Sequence, residues 1–316
     1  MAIDAVGDVI RSTSPRGSVI GRKARAYLAL SKPRIIELLL VATVPTMVVA
    51  AGGWPPLWLV VTTVVGGFCS AAGANAFNCY HDRDIDRVML RTKDRPLVTG
   101  ELSAREALVF AWVMSVGSVV LFGMAINWLA AGLTAFAVFF YAVVYTRWLK
   151  RRTVQNIVWG GVAGCMPVLI AWAATTGELS WSALCLFGVI FLWTPPHYWP
   201  LALKYRSDYE RASVPMLPVL HGQHTVGVQI ILYAWATVFC SLLLIVVQPM
   251  GLIYAVSSAG IGAWFIAECH RLFAESARGN TRRAMKVFHG SIVYLSVVFI
   301  AVAIDPLLYI PVPLLG

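Results

Sequence analysis

Three stretches of this chain carry no formal charge at all: residues 38–81, 107–146 and 212–267. A water-soluble domain has no place for such runs, because a helix at its surface needs a polar face. Each run is long enough to hold two membrane spans of about 20 residues. Inside a bilayer the backbone amides must bond within their own segment, so spans of this length are helices. Composition agrees, with 13% of residues charged, 59% hydrophobic and a mean hydropathy of +0.74. The chain reads as an all-α, polytopic membrane protein.

Turn signals divide the apolar runs: AGGWPP at 51–56, INW at 126–128, TTGELS at 175–180 and QPMG at 248–251. They predict nine transmembrane helices around a central cavity, over 36–52, 57–79, 106–125, 128–146, 155–174, 181–202, 226–247, 251–270 and 288–308. The break near Asn127 has neither Pro nor Gly at the turn itself. All 25 Lys and Arg fall before the first helix or within 80–105, 147–152, 204–211 and 271–286, which is one side if nine helices alternate. The positive-inside rule puts that side and the N-terminus in the cytoplasm. The formal net charge of +10 then follows from topology and attraction to anionic lipid, with no nucleic acid partner required. Residues 1–30 read as a cytoplasmic tail ending in a short interfacial helix, without the apolar core of a cleavable signal. Residues 31–310 form the intramembrane domain. The six cysteines have no close pair in sequence, which argues against a disulfide framework or a zinc site.

Two basic loops differ from ordinary connectors. After the second helix, Asn78, Asp82 and Asp86 stand at i, i+4 and i+8. Each step of four advances only about 40° around a helix, so the three share one face over about 12 Å of rise. Asn75 continues that polar stripe into the membrane. Carboxylates so placed repel unless a cation sits among them. Hard oxygen ligands suit Mg²⁺, which takes one or two carboxylates and completes its shell with water and phosphate. Arg87, Arg91, Lys93 and Arg95 follow as donors for phosphate oxygens. The pattern reads as a metal–diphosphate site; the competing reading is a solvated loop that only satisfies topology. After the sixth helix, Lys204 and Asp208 repeat the placement of charge just past a span. A spacing of four helices between the two loops predicts two similar four-helix halves plus a ninth helix. Phe77, Tyr80, Trp193, Tyr198 and Trp199 lie near these loops, where aromatic faces can steady a developing cation or simply form an interfacial belt.

The motifs resemble a known family. NxxxDxxxD at 78–86 followed by RTxxRP at 91–96 is similar to the UbiA-type intramembrane prenyltransferases. SKPR at 31–34, DRDIDRVMLRTKDRP at 82–96, YTRWLKRRTVQNIVWGG at 145–161, WTPPHYWPLALKY at 193–205 and VPMLP at 214–218 resemble the branch that farnesylates haem. That resemblance implies a nine-helix enzyme of a cell inner membrane using farnesyl diphosphate and haem b, with its active site on the cytoplasmic side. It further implies that Asn78, Asp82 and Asp86 hold Mg²⁺ while Asp208 approaches from the other half. Lys32, Arg34, Arg91, Arg95, Arg147, Lys150 and Lys204 are then the diphosphate donors. His197, Tyr198 and Trp199 fall on the haem side, with His197 either an iron ligand or a proton relay. A haem A synthase or an oxidase-assembly factor is the implied protein partner. Two positions depart from the pattern. Lys204 and Asp208 stand where the wider family has two acids four apart, and Ser213 replaces a usual Gly, a change expected to be tolerated unless positive φ is needed there.

Other functions have their own signatures. A prenyltransferase of quinone precursors would fit the first loop but not PPHYW with the Lys204–Asp208 pair. A transporter of an anionic metabolite would carry charges near the midplane of broken helices. A haem-handling assembly protein would not need the metal–diphosphate pattern.

Overall fold

A computed structural model of the protein describes residues 19–276 and 281–312; the tail ahead of residue 19 and the Arg34 side chain lie outside that description. Every element is helical among the described residues. In chain order they are α1 Val19–Ser31, α2 Pro33–Ala51, α3 Leu57–His81, α4 Arg83–Val88, α5 Pro96–Thr99, α6 Ala104–Ala125 and α7 Trp128–Phe139. There follow α8 Asn156–Thr176, α9 Trp181–Lys204, α10 Arg206–Arg211, α11 Leu217–Leu220, α12 Gln223–Val247, α13 Leu252–Ser276 and α14 Ala284–Ile304. Between α7 and α8 the chain continues as a π-helix over Phe140–Leu149.

Seven helical stretches among the described residues are long and apolar enough to cross a membrane, among them Leu57–His81, Ala104–Ala125, Gln223–Val247 and Trp128–Leu149, which joins α7 to the π-helix. Trp181–Lys204 contains Pro195, Pro196 and Pro200, each removing a backbone donor. Large apolar side chains cover the outside, including Trp112 and Phe239, an arrangement that requires a lipid surround. Exposed Trp54, Trp58, Trp128 and Trp181 stand at or beside the turns, where indole suits the bilayer interface.

Local chemistry sets the ends. Ser103 and Glu106 form a capping box at the start of α6. Gly52 and Gly177 close α2 and α8 with φ of 63° and 80°. Asn127 supplies the break that lacks Pro or Gly: its Oδ1 accepts from Ala130 N at 2.8 Å, and its Nδ2 donates to Ala173 O at 2.8 Å across to α8. Asp305, just past α14, is buried and accepts from Gly251 N and Tyr254 N, satisfying the start of α13.

Helices α3 and α6 pack closely, as do α9 with α12 and α13 with α14, while α2 touches α3, α8 and α14. Apolar contact alone gives no preference over lipid, so polar links fix the mates. Ser118 Oγ donates to Gly66 O at 2.7 Å between α6 and α3. Tyr254 and Tyr294 hydroxyls both reach Ser241, at 2.7 and 3.0 Å, joining α12, α13 and α14. At the charged end, buried Glu268 accepts from Arg271 at 2.5 Å and Arg283 at 3.0 Å.

Candidate active site

The polar stripe on α3 survives with one interruption. Helix α3 ends at His81, Asp82 sits at φ −90°, ψ 10°, and α4 begins at Arg83. The i to i−4 bonds nonetheless continue, Asp82 N to Asn78 O at 2.9 Å and Asp86 N to Asp82 O at 2.8 Å. Asn78, Asp82 and Asp86 therefore keep a common face, and all three are buried. Asn75 does not extend the stripe into a site, because its Nδ2 donates to Ser31 O at 2.9 Å and holds the end of α1.

Each buried acid of these two loops has its own cation. Lys150 Nζ donates to Asp82 Oδ2 at 2.5 Å, and Asn78 Nδ2 donates to the same oxygen at 2.8 Å. Lys32 Nζ donates to Asn78 Oδ1 at 2.7 Å from a left-handed turn, φ 55°. Burial lowers the Lys32 ammonium pKa to about 8, so it still carries its proton at neutral pH. Arg95 Nη1 donates to Asp86 Oδ2 at 2.6 Å. Asp208, buried on α10, pairs with Arg211 and accepts from Arg91 N at 3.3 Å. That last bond joins the loop after α3 to the loop after α9, the two loops singled out in the sequence.

The remaining expected donors are dispersed. Arg147 lines a groove of about 550 Å³ with Arg83, Asp84, Arg87 and Arg151. Lys204 is exposed, its Nζ 5.6 Å from the centre of the Tyr205 ring. Tyr198 Oη on α9 and Tyr209 Oη on α10 are 2.7 Å apart, with the Arg91 guanidinium close to Tyr209. His197 is half-buried, stacked between Trp193 and Phe288. Trp199 leaves this group: its ring is buried edge-on to Tyr233. Phe77 and Tyr80 turn to Trp112 and Arg83.

Several site residues escaped the sequence reading. The π-helix turns stacked Tyr141 and Tyr145, ring centres 5.5 Å apart, toward the surroundings of Asp82 and Tyr198. It also aims Thr146 Oγ1 at Asn78, 3.1 Å away, while that hydroxyl donates to Tyr141 O at 2.7 Å. A π-turn has no simple sequence signature, although such turns gather at functional sites. Arg151 forks onto Asp84 at 2.6 and 2.7 Å and lies 3.7 Å from Asp82 Oδ1. This fork holds the Asp84 carboxyl at about 2, against ordinary carboxylate behaviour. Its only trace in sequence was the basic run LKRR. Ser213 adopts φ 52°, so the departure from Gly falls where positive φ is in fact required.

Known proteins share this sequence and this fold. Residues 39–292 match the model of the UbiA prenyltransferase family. Over 289 residues the chain is 61% identical to a protoheme IX farnesyltransferase of Clavibacter michiganensis subsp. michiganensis, covering 92% of this chain and 94% of that one. Identity to the protein of the same name from Leifsonia xyli subsp. xyli is 63%, with the same coverage. A digeranylgeranylglyceryl phosphate synthase structure superposes with a TM-score of 0.74 at 19% identity, over 90% of this chain and 98% of that one. A UbiA homolog from Archaeoglobus fulgidus bound to DMAPP and Mg²⁺ gives 0.64 at 20% identity, over 86% and 98%. The chain thus belongs to the UbiA prenyltransferase family, on the branch of the relatives called protoheme IX farnesyltransferase.

Proposed function

We propose that this prenyltransferase moves the farnesyl group of farnesyl diphosphate to a vinyl group of haem b, giving haem O and diphosphate. Identity above 60% to proteins named for that reaction, along nine-tenths of the chain, carries the reading. We place the reaction at the cytoplasmic face of a bacterial inner membrane, in a nine-span chain of two four-helix halves and a ninth helix, with the N-terminus inside. A haem A synthase or oxidase-assembly factor is the natural recipient.

A divalent cation fits the residues present. Asp82 Oδ1 is buried without a hydrogen-bond partner, a state that a bound cation would relieve. No three His, Cys, Asp or Glu side chains converge among the described residues, so an ion here would draw on few carboxylates and on substrate oxygens. Asn78, Asp82 and Asp86 would hold it, with Asp208 opposite, and when bound it would offset charge on the diphosphate.

The chain's own groups do the rest. Lys150, Arg95 and Lys32, which hold Asp82, Asp86 and Asn78 in this structure, are the donors a diphosphate would engage, together with Arg91 and, from the rim, Arg147 and Lys204; Arg34 completes the set. Their positive charge stabilises the leaving group as the C1–O bond of the farnesyl chain breaks. Tyr141, Tyr145 and Tyr198 would offer the allylic carbon electron-rich rings in place of a strong nucleophile. The outer vinyl carbon of haem bonds to C1 of the farnesyl chain, the positive charge passes to the inner vinyl carbon, and water adds there and gives up a proton to leave the hydroxyl group. The test is to express the chain in membranes and chromatograph extracted haem. Farnesylated haem that depends on Asp82 supports the reading; unchanged haem b beside a prenylated quinone precursor overturns it.

A further inference from the structure

His197 is held more tightly than packing requires. Its ring lies 4.1 Å from Trp193 at 15° and 4.6 Å from Phe288 at 25°, centre to centre, a two-sided stack. Its Nδ1 is 2.7 Å from Ser291 Oγ on α14. Trp193 Nε1 donates to Ser291 O at 2.7 Å, so the tryptophan that stacks on the ring is anchored to the same residue.

The direction of the Nδ1 bond follows from the next atom. Ser291 Oγ lies 2.6 Å from Phe288 O, a carbonyl that can only accept, so the single hydroxyl proton is committed there. The serine oxygen then has only lone pairs left for Nδ1. The imidazole is therefore the Nδ1–H tautomer, and Nε2 carries the lone pair. Nε2 has no protein partner among the described residues, and the side chain is only half-buried. A histidine whose far nitrogen is hydrogen-bonded, whose plane is clamped and whose near nitrogen is bare has the arrangement of a metal ligand with its outer support. His197 is also two turns deeper along α9 than Lys204, about 10 Å at helical rise. A porphyrin there would lie in the apolar region below the diphosphate-binding loops.

We propose that His197 Nε2 ligates the iron of the acceptor porphyrin, and that Ser291 is a positioning residue that fixes the tautomer while Trp193 and Phe288 fix the ring plane. The assignment rests on the haem-farnesylating reading above. The experiment uses the full chain in lipid nanodiscs, titrated with ferric haem b and followed by Soret absorption and electron paramagnetic resonance. Wild type shows histidine-ligated iron. His197→Ala loses that signature, and added imidazole restores it. Ser291→Ala, whose Nδ1 has lost its acceptor, binds haem at least tenfold more weakly with an altered iron–histidine signal, whereas Ser291→Thr, which keeps the hydroxyl, stays close to wild type. Farnesyl diphosphate binding, measured separately, is unchanged in all three and shows that they are folded. A His197→Ala protein with the wild-type spectrum overturns the ligand assignment, and a Ser291→Ala protein with wild-type spectrum and affinity overturns the positioning role. In either case a wild type that still farnesylates haem leaves the function standing. A wild type that neither binds nor farnesylates haem overturns the functional reading and this assignment with it.

Discussion

Replacing Asp82 by Asn separates what the buried acid does for folding from what it does for chemistry. Asp82 is fully buried and holds Lys150 Nζ at 2.5 Å, while Lys150 keeps 16% of its side chain exposed. Removing one member of a buried ion pair costs about 3–5 kcal/mol. The lower end, about 3 kcal/mol, is expected here because Lys150 can turn its ammonium to water. Loss of turnover has another source: a site missing one element of charge stabilisation loses about 10²–10³ in rate. The two effects part in the double variant Asp82→Asn with Lys150→Met. With both charges gone, no uncompensated ion remains, and most of the lost stability returns, yet farnesylated haem does not. Thermal unfolding in detergent micelles reads the first quantity and chromatography of extracted haem the second. Turnover near wild type in the single variant, or recovered in the double one, would refute the role given to Asp82.

Other perturbations test other links. Chelation of divalent metal in purified membranes should abolish farnesyl transfer, with recovery on adding Mg²⁺; persistent activity removes the metal from the scheme. Ser213→Gly should stabilise the protein by about 1 kcal/mol, since φ 52° is strained for serine and free for glycine, and a lowered melting temperature would contradict that. Gly73→Ala sets a methyl 2.9 Å from Ala111 O on α6, so overpacking of about 1–3 kcal/mol should appear as a lower melting temperature. Asn127→Ala removes a cap and an interhelical bond, a loss of about 1–2 kcal/mol, and an unchanged melting temperature would show that other contacts set the break.

Much of the site was legible because its spacing is local. Asn78, Asp82 and Asp86 share a face by helical periodicity alone, and the backbone bonds that keep this register are made within the same turn of chain. Arg95, nine residues beyond Asp86 and expected on phosphate, is bonded here to Asp86 itself. Asn75 misled because periodicity gives the face of a side chain but not what packs there; Ser31 does. Trp199 misled for the same reason, its ring being turned into the core by the neighbouring helices.

The sequence by itself determined that the chain lies in a membrane, where its apolar runs break, and which acids stand together on α3. These depend on composition and on contacts a few residues apart, which the covalent chain imposes wherever it goes. Only the tertiary structure decided the rest. It paired Asp82 with Lys150, joined Arg91 to Asp208, aimed Tyr141 and Tyr145 through a π-turn, and set Ser291 against His197. Those partners stand from 5 to 117 residues apart in the cited bonds. For the distant ones, packing of whole helices chooses the neighbour. In the π-turn, the one short separation, the wider turn sets Thr146 Oγ1 3.1 Å from Asn78 Nδ2, a contact that only the packing of that segment against α3 provides.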